Sequence, residues 1–440
     1  MRWLMASQST ADQAVGGTEQ YVSRLSDTLL ARGVEVAWVH YDQENPRLEL
    51  RERKAGRIGY SQVHIPQSAG SREQSWRVDP LGLDEFKALL SEVQPDCVHF
   101  HGFGRAHSPE HFEAAKQSGA CVLMTYHAPG QSCPRWDLLY KGEEMCSGAI
   151  DVCRCTDCAL HRTGVPAPLR LPLSRIDLSP LARILPYGAQ HPIVRRRGML
   201  DYRRRWLEGM AIPHKILWHA DWVRDLLLRN GVPENRLQWL PLPPPRTPSV
   251  IAGPETSDPA LRKFVYFGRL SDIKGVHILT DAVQLLPRSA KIDVAIFGAK
   301  GAEEYVAKVQ QACAEEPRIR LMPPVDAERV PALMRAADAV IVPSLWPETG
   351  PYTVLEALWT GTPVVGSERA GIRELVHRWG GGVLFQPGSA PQLARLLMEC
   401  DFRSMRRDPA PFQTTWNANF DKALNNLCAA LSMTAFSLAI

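Results

Sequence analysis

Two pairs of charged residues in the second half of the chain have the order expected of a phosphate-binding site. Arg269 and Lys274 stand in FGRLSDIKG, directly after an apolar run that predicts a strand. Glu348 and Glu356 are separated by seven residues in PETGPYTVLEALW, which follows another predicted strand. Each pair alone is typical of charges that face water. Together they follow strands at the edge where open α/β sheets bind ligands, which favours a binding site.

The residues between the two glutamates predict the start of a helix that suits an anion. Gly350, Pro351, Tyr352 and Thr353 lead into the helix that carries Glu356. Free backbone N–H groups and the positive end of the helix dipole attract phosphate, and a glycine lets a ligand approach the backbone closely. Arg269 and Lys274 would add two positive charges. Glu356, about one turn into the helix, could accept hydrogen bonds from ribose hydroxyls, and Glu348 from sugar hydroxyls.

Two prolonged α/β patterns must position these residues. The first begins with an apolar run at Arg2–Ala6 and a helix from Gly17 that ends near Gly33. It also includes a predicted strand at Cys97–Phe100. The second pattern begins with a strand at Phe264–Phe267 and has a later one at Ala339–Val342. The proline-rich stretch from Leu240 to Glu255 cannot continue a helix or a central strand and predicts a linker. Strands that alternate with helices indicate parallel sheets, so we expect two Rossmann-like domains facing a central cleft.

The predicted boundaries are residues 1–245 for the first domain and 255–412 for the second. The first domain includes a cysteine-rich insertion at 128–165. The last segment, 413–440, has an amphipathic pattern and is expected to pack back onto the first domain.

Composition narrows the class of protein. The 440 residues carry 51 Lys and Arg against 47 Asp and Glu, a net charge of +4, so nothing indicates a general nucleic-acid-binding surface. The apolar start is too short for a secretory signal, and no run reaches the ~20 apolar residues that span a bilayer. We expect a cytoplasmic chain with reduced thiols.

The motifs as a group resemble the retaining glycosyltransferases of family 4, also called group 1, which have the GT-B fold. The resemblance covers nearly the whole chain. It begins with GGTEQYVSRLSDTLLARGVEV, continues through PDCVHFHGF and LWHADWVRDLLLRNGVP, and is most specific in FGRLSDIKG and MRAADAVIVPSLWPETGPYTVLEALWTGTPVV. It implies that the second domain binds a nucleotide-sugar donor of the UDP or GDP type. The first domain would bind a saccharide, lipid-linked or small-molecule acceptor.

The resemblance also implies roles for individual residues. Arg269 and Lys274 would neutralise the departing diphosphate, Glu348 would contact the donor sugar, and Glu356 would hold the ribose. The backbone from Gly350 to Thr353 would offer amides to sugar and phosphate. Gly16 and Gly17 match the family's first-domain loop near the phosphates. His127 matches its cleft histidine near the donor sugar; the alternative for His127 is a partly buried histidine bonded to backbone.

The expected chemistry needs no catalytic cofactor. The chain contains no Asp-x-Asp pair to hold a divalent cation on the diphosphate, so fixed cations and a helix dipole would stabilise the leaving group. Family resemblance implies retention through attack on the same face of the sugar. A nucleotide-sugar epimerase and a noncatalytic nucleotide-sugar-binding protein are the alternatives. The chain has no G-x-G-x-x-G, which disfavours a Rossmann dehydrogenase.

Five cysteines fall within 26 residues of the first domain. Tetrahedral zinc prefers four thiolate or imidazole ligands and often uses a C-x2-C pair, which Cys155 and Cys158 provide. The predicted zinc ligands are Cys133, Cys146, Cys155 and Cys158, with Cys153 as the alternate. An iron–sulfur cluster and free thiols are the other interpretations.

Two arginine triplets, Arg195–Arg197 and Arg203–Arg205, flank a helical segment. A solvated helix face is the simpler interpretation. The more specific interpretation is peripheral contact with an anionic membrane or with a lipid-diphosphate acceptor. Each basic residue near such a membrane contributes ~1 kcal/mol of attraction.

Overall fold

The computed structural model describes most of the chain. The described residues are 1–7, 16–42, 49–54, 57–63, 80, 82–178, 180, 191–246, 258, 260–299 and 301–438. The chain divides into two compact units, one of Met1–Pro241 with Ala423–Ile440 and the other of Leu242–Lys422. Most of the predicted linker lies outside the described residues.

The first unit is built on an eight-stranded sheet. Its strands are β1 (Arg2–Ser7), β2 (Glu35–Asp42), β3 (Glu49–Lys54), β4 (Arg57–Val63), β5 (Cys97–Phe100), β6 (Cys121–Thr125), β9 (Lys215–Trp218) and β10 (Leu237–Trp239); a separate hairpin pairs β7 (Leu139–Tyr140) with β8 (Glu144–Met145). The sheet order is β10-β9-β6-β5-β1-β2-β4-β3, and only β3 runs antiparallel to its neighbour. The chain reverses its direction of travel across the sheet between β1 and β5.

Helices with one apolar face cover this sheet. They are α1 (Gly17–Ala31), α2 (Leu83–Val93), α3 (Pro109–Gln117), α4 (Val152–Arg162), α5 (Ala167–Arg175), α6 (Arg195–Ala211) and α7 (Asp221–Arg229). In α1, Tyr21, Leu25 and Leu29 recur at helical spacing and are fully buried. The helix stops where Gly33 adopts a left-handed φ of 76°, which glycine tolerates without a steric penalty.

The second unit has a six-stranded sheet that is parallel throughout. Its strands are β11 (Arg262–Arg269), β12 (Ile292–Ala299), β13 (Ile319–Met322), β14 (Ala339–Val342), β15 (Val364–Ser367) and β16 (Gly382–Phe385), and its helices are α8 (Val276–Gln284), α9 (Glu303–Glu315), α10 (Val330–Ala336), α11 (Tyr352–Trp359), α12 (Ala370–Trp379) and α13 (Ala390–Glu399). The order β13-β12-β11-β14-β15-β16 is that of a dinucleotide-binding Rossmann sheet, 3-2-1-4-5-6. Its topological switch point lies between β11 and β14.

The last helix, α14 (Ala410–Leu438), belongs to both units, because its residues from Ala423 onward group with the first. There, Arg32 donates a hydrogen bond to Asn425 at 2.8 Å and Gln238 donates to the Ala423 carbonyl at 3.4 Å. Leu427 is fully buried.

The predicted fold class of two Rossmann-like α/β units is confirmed. Strands predicted at Cys97–Phe100 and Ala339–Val342 have those bounds in the structure. The strand predicted at Phe264–Phe267 is longer, since its pairing with β12 continues to Arg269. Within the described part of the chain, no helix combines the length and the hydropathy needed to cross a bilayer.

Candidate active site

Two of the three predicted catalytic charges of the second unit, Lys274 and Glu348, form an ion pair at its switch point. Lys274 follows β11 and Glu348 follows β14, which are neighbours in the sheet. The Lys274 Nζ lies 2.6 Å from Glu348 Oε1, and the Ser344 hydroxyl donates to the same oxygen at 2.7 Å. The two charged side chains are 20% and 10% exposed. A carboxylate this enclosed is stable because a cation and a hydroxyl share its charge.

Close backbone packing fixes the loop that carries Glu348. The amides of Leu345 and Trp346 donate to the Ile273 carbonyl at 2.8 and 3.3 Å. Gly275 has a left-handed φ of 69°, and a Cβ at this position would lie 2.1 Å from the Pro343 carbonyl oxygen. The glycine of the Lys-Gly pair is therefore required both for its conformation and for the approach of the second loop.

A second glycine holds the backbone of Glu348 itself. The amide of Gly371 in α12 donates to the Glu348 carbonyl at 3.0 Å. A Cβ on Gly371 would lie 2.6 Å from that carbonyl oxygen. Glu348 is thus fixed at its carboxylate by Lys274 and Ser344, and at its backbone by α12.

Two further arginines, Arg269 and Arg369, stand at the carboxyl ends of strands in this sheet. Arg269 is exposed at the carboxyl end of β11, and its carbonyl accepts a hydrogen bond from the Tyr266 hydroxyl at 2.9 Å. The Arg369 guanidinium donates to the Leu345 carbonyl, and its burial lowers the Arg369 pKa. The Lys274 Nζ also lies 5.3 Å from the centre of the Trp346 ring.

The helix α11 begins directly after this loop. Pro351 is its N-cap residue, Gly350 precedes it, and the predicted amide donors Tyr352 and Thr353 form its first turn. Glu356 lies about one turn further in and is half-buried. These positions match the predicted phosphate and ribose contacts in sequence order. Their roles remain predictions.

The first unit gathers four histidines at the carboxyl edge of its sheet, here called the histidine cluster: His99, His101, His127 and His219. His101 follows β5, His127 follows β6 and His219 follows β9, and these strands are adjacent. His101 Nδ1 and His127 Nε2 share a hydrogen bond of 3.0 Å. The Tyr21 ring packs on His127 and His219 with centroids 4.7 and 4.8 Å away.

Burial keeps the histidine cluster neutral. It lowers the pKa of His99 to about 3 and that of His219 to about 4. Burial, reinforced by the neighbouring imidazoles, also lowers the pKa values of His101 and His127 well below the usual value. A neutral imidazole can both donate and accept a hydrogen bond, so the cluster can bind hydroxyl groups at neutral pH.

The predicted glycines of the first unit lie at the start of α1. Gly16 is its N-cap residue in an extended conformation. Gly17 is exposed, and a Cβ added at this position would meet no atom within 4 Å. This helix follows β1, which flanks the switch point of the first sheet.

The four preferred cysteines line one cavity of the first unit: Cys133, Cys146, Cys155 and Cys158. The alternate ligand Cys153 is not among its lining residues. The prediction of a zinc ion is not supported, because the described residues contain no group of three or more His, Cys, Asp or Glu placed to hold a metal ion. Sequence spacing predicted that these four thiols converge, but it cannot set the distances between their sulfur atoms.

The arginine triplets do not form a uniform basic surface. Arg195 is only 3% exposed, and Arg205 Nη2 donates to both carboxylate oxygens of Glu110 at 2.5 and 2.7 Å. Arg197 and Arg204 contact Asp201 within the same helix. The expectation of membrane contact through these arginines is therefore not supported.

Profiles of two related families match this chain. The profile described as glycosyl transferases group 1 matches residues 253–400, and that of glycosyltransferase family 4 matches residues 15–171. The first match contains Lys274 and Glu348, and the second contains His127.

Curated relatives and solved structures agree with these profiles. D-inositol 3-phosphate glycosyltransferase of Pseudarthrobacter chlorophenolicus is 29% identical over 42% of this chain and 44% of its own length. That of Xylanimonas cellulosilytica is 33% identical over 27% of this chain and 29% of its own. The chain thus spans less than half the length of these relatives. Sucrose-phosphate synthase of Thermosynechococcus elongatus has a TM-score of 0.64 at 16% identity, covering 98% of this chain and 99% of its own. Anabaena HepE in complex with UDP has a TM-score of 0.60 at 14% identity, covering 98% and 100%.

Two Rossmann-like units with these structural neighbours define a protein of the GT-B fold. More narrowly, the chain belongs to the group 1, family 4 glycosyltransferases, which confirms the resemblance inferred from its motifs.

Sequence reasoning missed several residues that shape the two sites. Ser344 lies inside the motif that carries Glu348 but received no role, whereas Arg369 and Gly371 lie beyond the motifs, at the start of α12. His101 could have been found by the signal that found His127, since it directly follows the predicted strand Cys97–Phe100. His219 directly follows β9, a strand that the sequence analysis did not predict.

Proposed function

We propose that this chain is a retaining glycosyltransferase that moves a sugar from a nucleotide-diphosphate sugar to a hydroxyl group of a saccharide, lipid-linked or small-molecule acceptor. The observation that carries the proposal is the Lys274–Glu348 pair at the switch point of a 3-2-1-4-5-6 sheet. Open α/β sheets bind nucleotides at this point. The family membership makes a nucleotide sugar the expected ligand there.

The leaving diphosphate would be stabilised by fixed positive charge. Lys274 lies beside the loop that leads into α11, and Arg269 ends the neighbouring strand. The first amides of α11 would add hydrogen bonds and the positive end of the helix dipole. Charges that are already in place when the sugar–phosphate bond breaks lower the barrier without reorganisation.

Glu348 would position both the cation and the sugar. Its Oε1 already accepts from Lys274 and Ser344, which orients the carboxylate. When a diphosphate draws the Lys274 ammonium toward itself, Glu348 would accept hydrogen bonds from donor-sugar hydroxyls instead. Glu356, one turn into α11, would accept from the ribose hydroxyls.

The first unit would bind the acceptor and contact the sugar through neutral groups. His127 would exchange hydrogen bonds with a sugar hydroxyl, because burial prevents it from becoming a cation. Gly16 and Gly17 would let a ligand approach the start of α1 closely. In the transfer step the bond from the anomeric carbon to the phosphate oxygen breaks, and a bond to the acceptor oxygen forms on the same face. The acceptor's proton passes to the leaving phosphate.

The experiment is a donor and acceptor screen on the full chain. Thermal shift with UDP, GDP, ADP and dTDP identifies the base, because a ligand stabilises the fold by RT ln(1+[L]/Kd). The matching nucleotide sugars are then tested for nucleoside diphosphate release. The names of the relatives make an inositol phosphate an acceptor to try first.

Product analysis separates the proposal from its alternatives. We expect release of the nucleoside diphosphate to depend on an acceptor. The NMR spectrum of the product should show the same anomeric configuration as the donor. A new sugar nucleotide formed without acceptor would indicate an epimerase. Donor binding with neither transfer nor hydrolysis would indicate a noncatalytic binding protein.

A further inference from the structure

The hydrogen-bond partners in the histidine cluster show which ring nitrogens carry a proton. All four imidazoles are neutral at neutral pH, because burial lowers the pKa of each one. A neutral imidazole has one N–H group that donates and one bare nitrogen that only accepts. The position of the proton follows from what each nitrogen faces, since a donor needs an acceptor.

The proton of His101 can be placed first, because one of its partners can only accept. His101 Nε2 lies 3.5 Å from the sulfur of Met5, and a thioether has no proton to give. The proton of His101 is therefore on Nε2, and its Nδ1 is bare. That bare nitrogen is 3.0 Å from Nε2 of His127, so His127 donates the hydrogen bond between the two rings.

The opposite arrangement would leave a buried nitrogen unsatisfied. If His101 donated from Nδ1 to His127, its bare Nε2 would face the lone pairs of the Met5 sulfur. Met5 is fully buried and His101 is only 4% exposed, so bulk water does not reach this contact. A buried polar atom without a partner is unfavourable, which selects the first arrangement.

His127 consequently presents a bare Nδ1. Its single proton is on Nε2 and is donated to His101, so Nδ1 can accept a hydrogen bond but cannot donate one. The His127 side chain is partly exposed at the carboxyl end of β6, whereas His101 is buried. His101 therefore acts on a ligand only through His127.

His219 has the reverse tautomer, and it also presents a bare nitrogen. Its Nδ1 lies 2.7 Å from the Leu240 carbonyl oxygen, which only accepts, so the proton of His219 is on Nδ1. Its Nε2 is bare, and none of the residues that the structure describes donates to this buried atom. The His127 and His219 rings follow neighbouring strands, with centroids 5.6 Å apart.

Two accepting nitrogens favour a ligand that brings its own protons. Sugar hydroxyl groups donate hydrogen bonds at neutral pH. Phosphate and carboxylate oxygens are mostly deprotonated at that pH and can only accept. This edge of the first unit therefore suits the hydroxyl groups of a neutral sugar and not an anionic group.

We propose that His101 is a positioning residue that holds His127 in its Nε2–H tautomer, so that the bare Nδ1 of His127 accepts a hydrogen bond from a hydroxyl group of a neutral sugar. The bare Nε2 of His219 accepts a second one. The binding role rests on the proposed transferase function, whereas the tautomers themselves do not depend on it.

NMR of the full chain labelled with ¹⁵N in histidine measures the tautomers directly. Long-range proton–nitrogen correlations distinguish a protonated ring nitrogen from a bare one, and single His→Gln variants assign the signals. We expect a protonated Nε2 in His101 and His127, and a protonated Nδ1 in His219. A protonated Nδ1 in His127 would overturn the proposal, and a protonated Nε2 in His219 would remove that residue from the sugar site.

Two variants of His101 test the positioning role. His101→Leu removes the acceptor of the His127 proton, so the His127 signals should show a second tautomer. His101→Asn offers a side-chain oxygen near the place of Nδ1 and should restore the single Nε2–H form. The matched control is His111→Leu, which removes another buried histidine of this unit and should leave the His127 signals unchanged. The same change in the control as in His101→Leu would contradict a specific role of His101.

Calorimetry separates this inference from the proposed function. In His101→Leu the affinity for the nucleotide sugar should fall by about 2- to 13-fold, the contribution of one neutral hydrogen bond. The affinity for the nucleoside diphosphate alone should stay within about twofold of wild type. An unchanged affinity for the nucleotide sugar would refute the positioning role and leave the proposed function standing. A wild-type chain that binds no nucleotide sugar would refute the proposed function, and the wild-type NMR spectrum still decides the tautomers if a variant fails to fold.

Discussion

Replacing Lys274 by methionine removes the ammonium group but keeps most of the side chain's volume. The ammonium makes a 2.6 Å contact with Glu348 and would face the diphosphate of the donor. A hydrogen bond to a charged group contributes ~1.5–3 kcal/mol. Since 1.4 kcal/mol corresponds to tenfold in affinity, Lys274→Met should weaken nucleoside diphosphate binding by about 10- to 150-fold.

The same change should lower the free energy of unfolding. Removing one partner of a fully buried pair costs ~3–5 kcal/mol. Lys274 and Glu348 are 20% and 10% exposed, and Ser344 still donates to the carboxylate. We therefore expect Lys274→Met to lower the free energy of unfolding by about 1–3 kcal/mol. Glu348→Gln in the Lys274→Met background should restore part of this loss, because no uncompensated carboxylate remains.

Isothermal titration of the nucleoside diphosphate and urea unfolding measure the two effects separately. The matched control is Lys291→Met, which breaks the 3.1 Å pair with Asp258 just before β12, away from the candidate site. Lys291 is exposed, so its loss should change the free energy of unfolding little and leave nucleotide affinity unchanged. The reasoning is refuted if Lys274→Met binds the nucleotide within about twofold of wild type, or no more weakly than Lys291→Met.

Three further changes test individual parts of the account. Gly275→Ala should lower the free energy of unfolding by ~2 kcal/mol or more, because the φ of Gly275 is +69° and the new Cβ would lie 2.1 Å from a carbonyl oxygen. Urea unfolding measures the loss. The control is Gly104→Ala, where the new Cβ would meet no atom within 4 Å. Gly371→Ala should displace the Glu348 backbone and weaken nucleotide binding by calorimetry; unchanged affinity would separate α12 from the site. The free energy of unfolding should fall as the pH drops below ~6.5, because the depressed pKa values of the histidine cluster let only the unfolded chain take up protons. Each histidine of the cluster should lower it by up to ~1.4 kcal/mol for each pH unit. The free energy of unfolding is measured from about pH 7.5 to about pH 5.5, and its slope with pH counts the protons taken up on unfolding. His219→Gln should reduce that count by up to one proton. An unchanged slope would contradict the assignment of a depressed pKa to His219.

The candidate site of the second unit was predictable because parallel strands end at one edge. Once Phe264–Phe267 and Ala339–Val342 were recognised as strands, the residues that follow them had to lie at the same side of the sheet. That Lys274 and Glu348 pair directly depends on the order of the strands. Local sequence cannot give this order, because β11 and β14 become neighbours only after two other strands have been placed beyond β11.

The histidine cluster and the cysteine cavity show where sequence reasoning stops. His101, His127 and His219 are far apart in the chain, and their meeting depends on β5, β6 and β9 being adjacent. The cysteine spacing predicted that the four thiols converge, and they line one cavity, but it could not predict the left-handed turns at Trp136, Leu138 and Lys141 in the loop between Cys133 and Cys146. These turns occur at residues with side chains, where propensity argues against them.

The most direct test of the proposed donor site is a crystal structure of the full chain with the nucleoside diphosphate that stabilises it most. The account predicts a phosphate oxygen within about 3.2 Å of Lys274 Nζ, next to the first turn of α11, with the ribose hydroxyls on Glu356. A diphosphate bound elsewhere, with the Lys274–Glu348 contact intact and no phosphate beside it, would contradict the account.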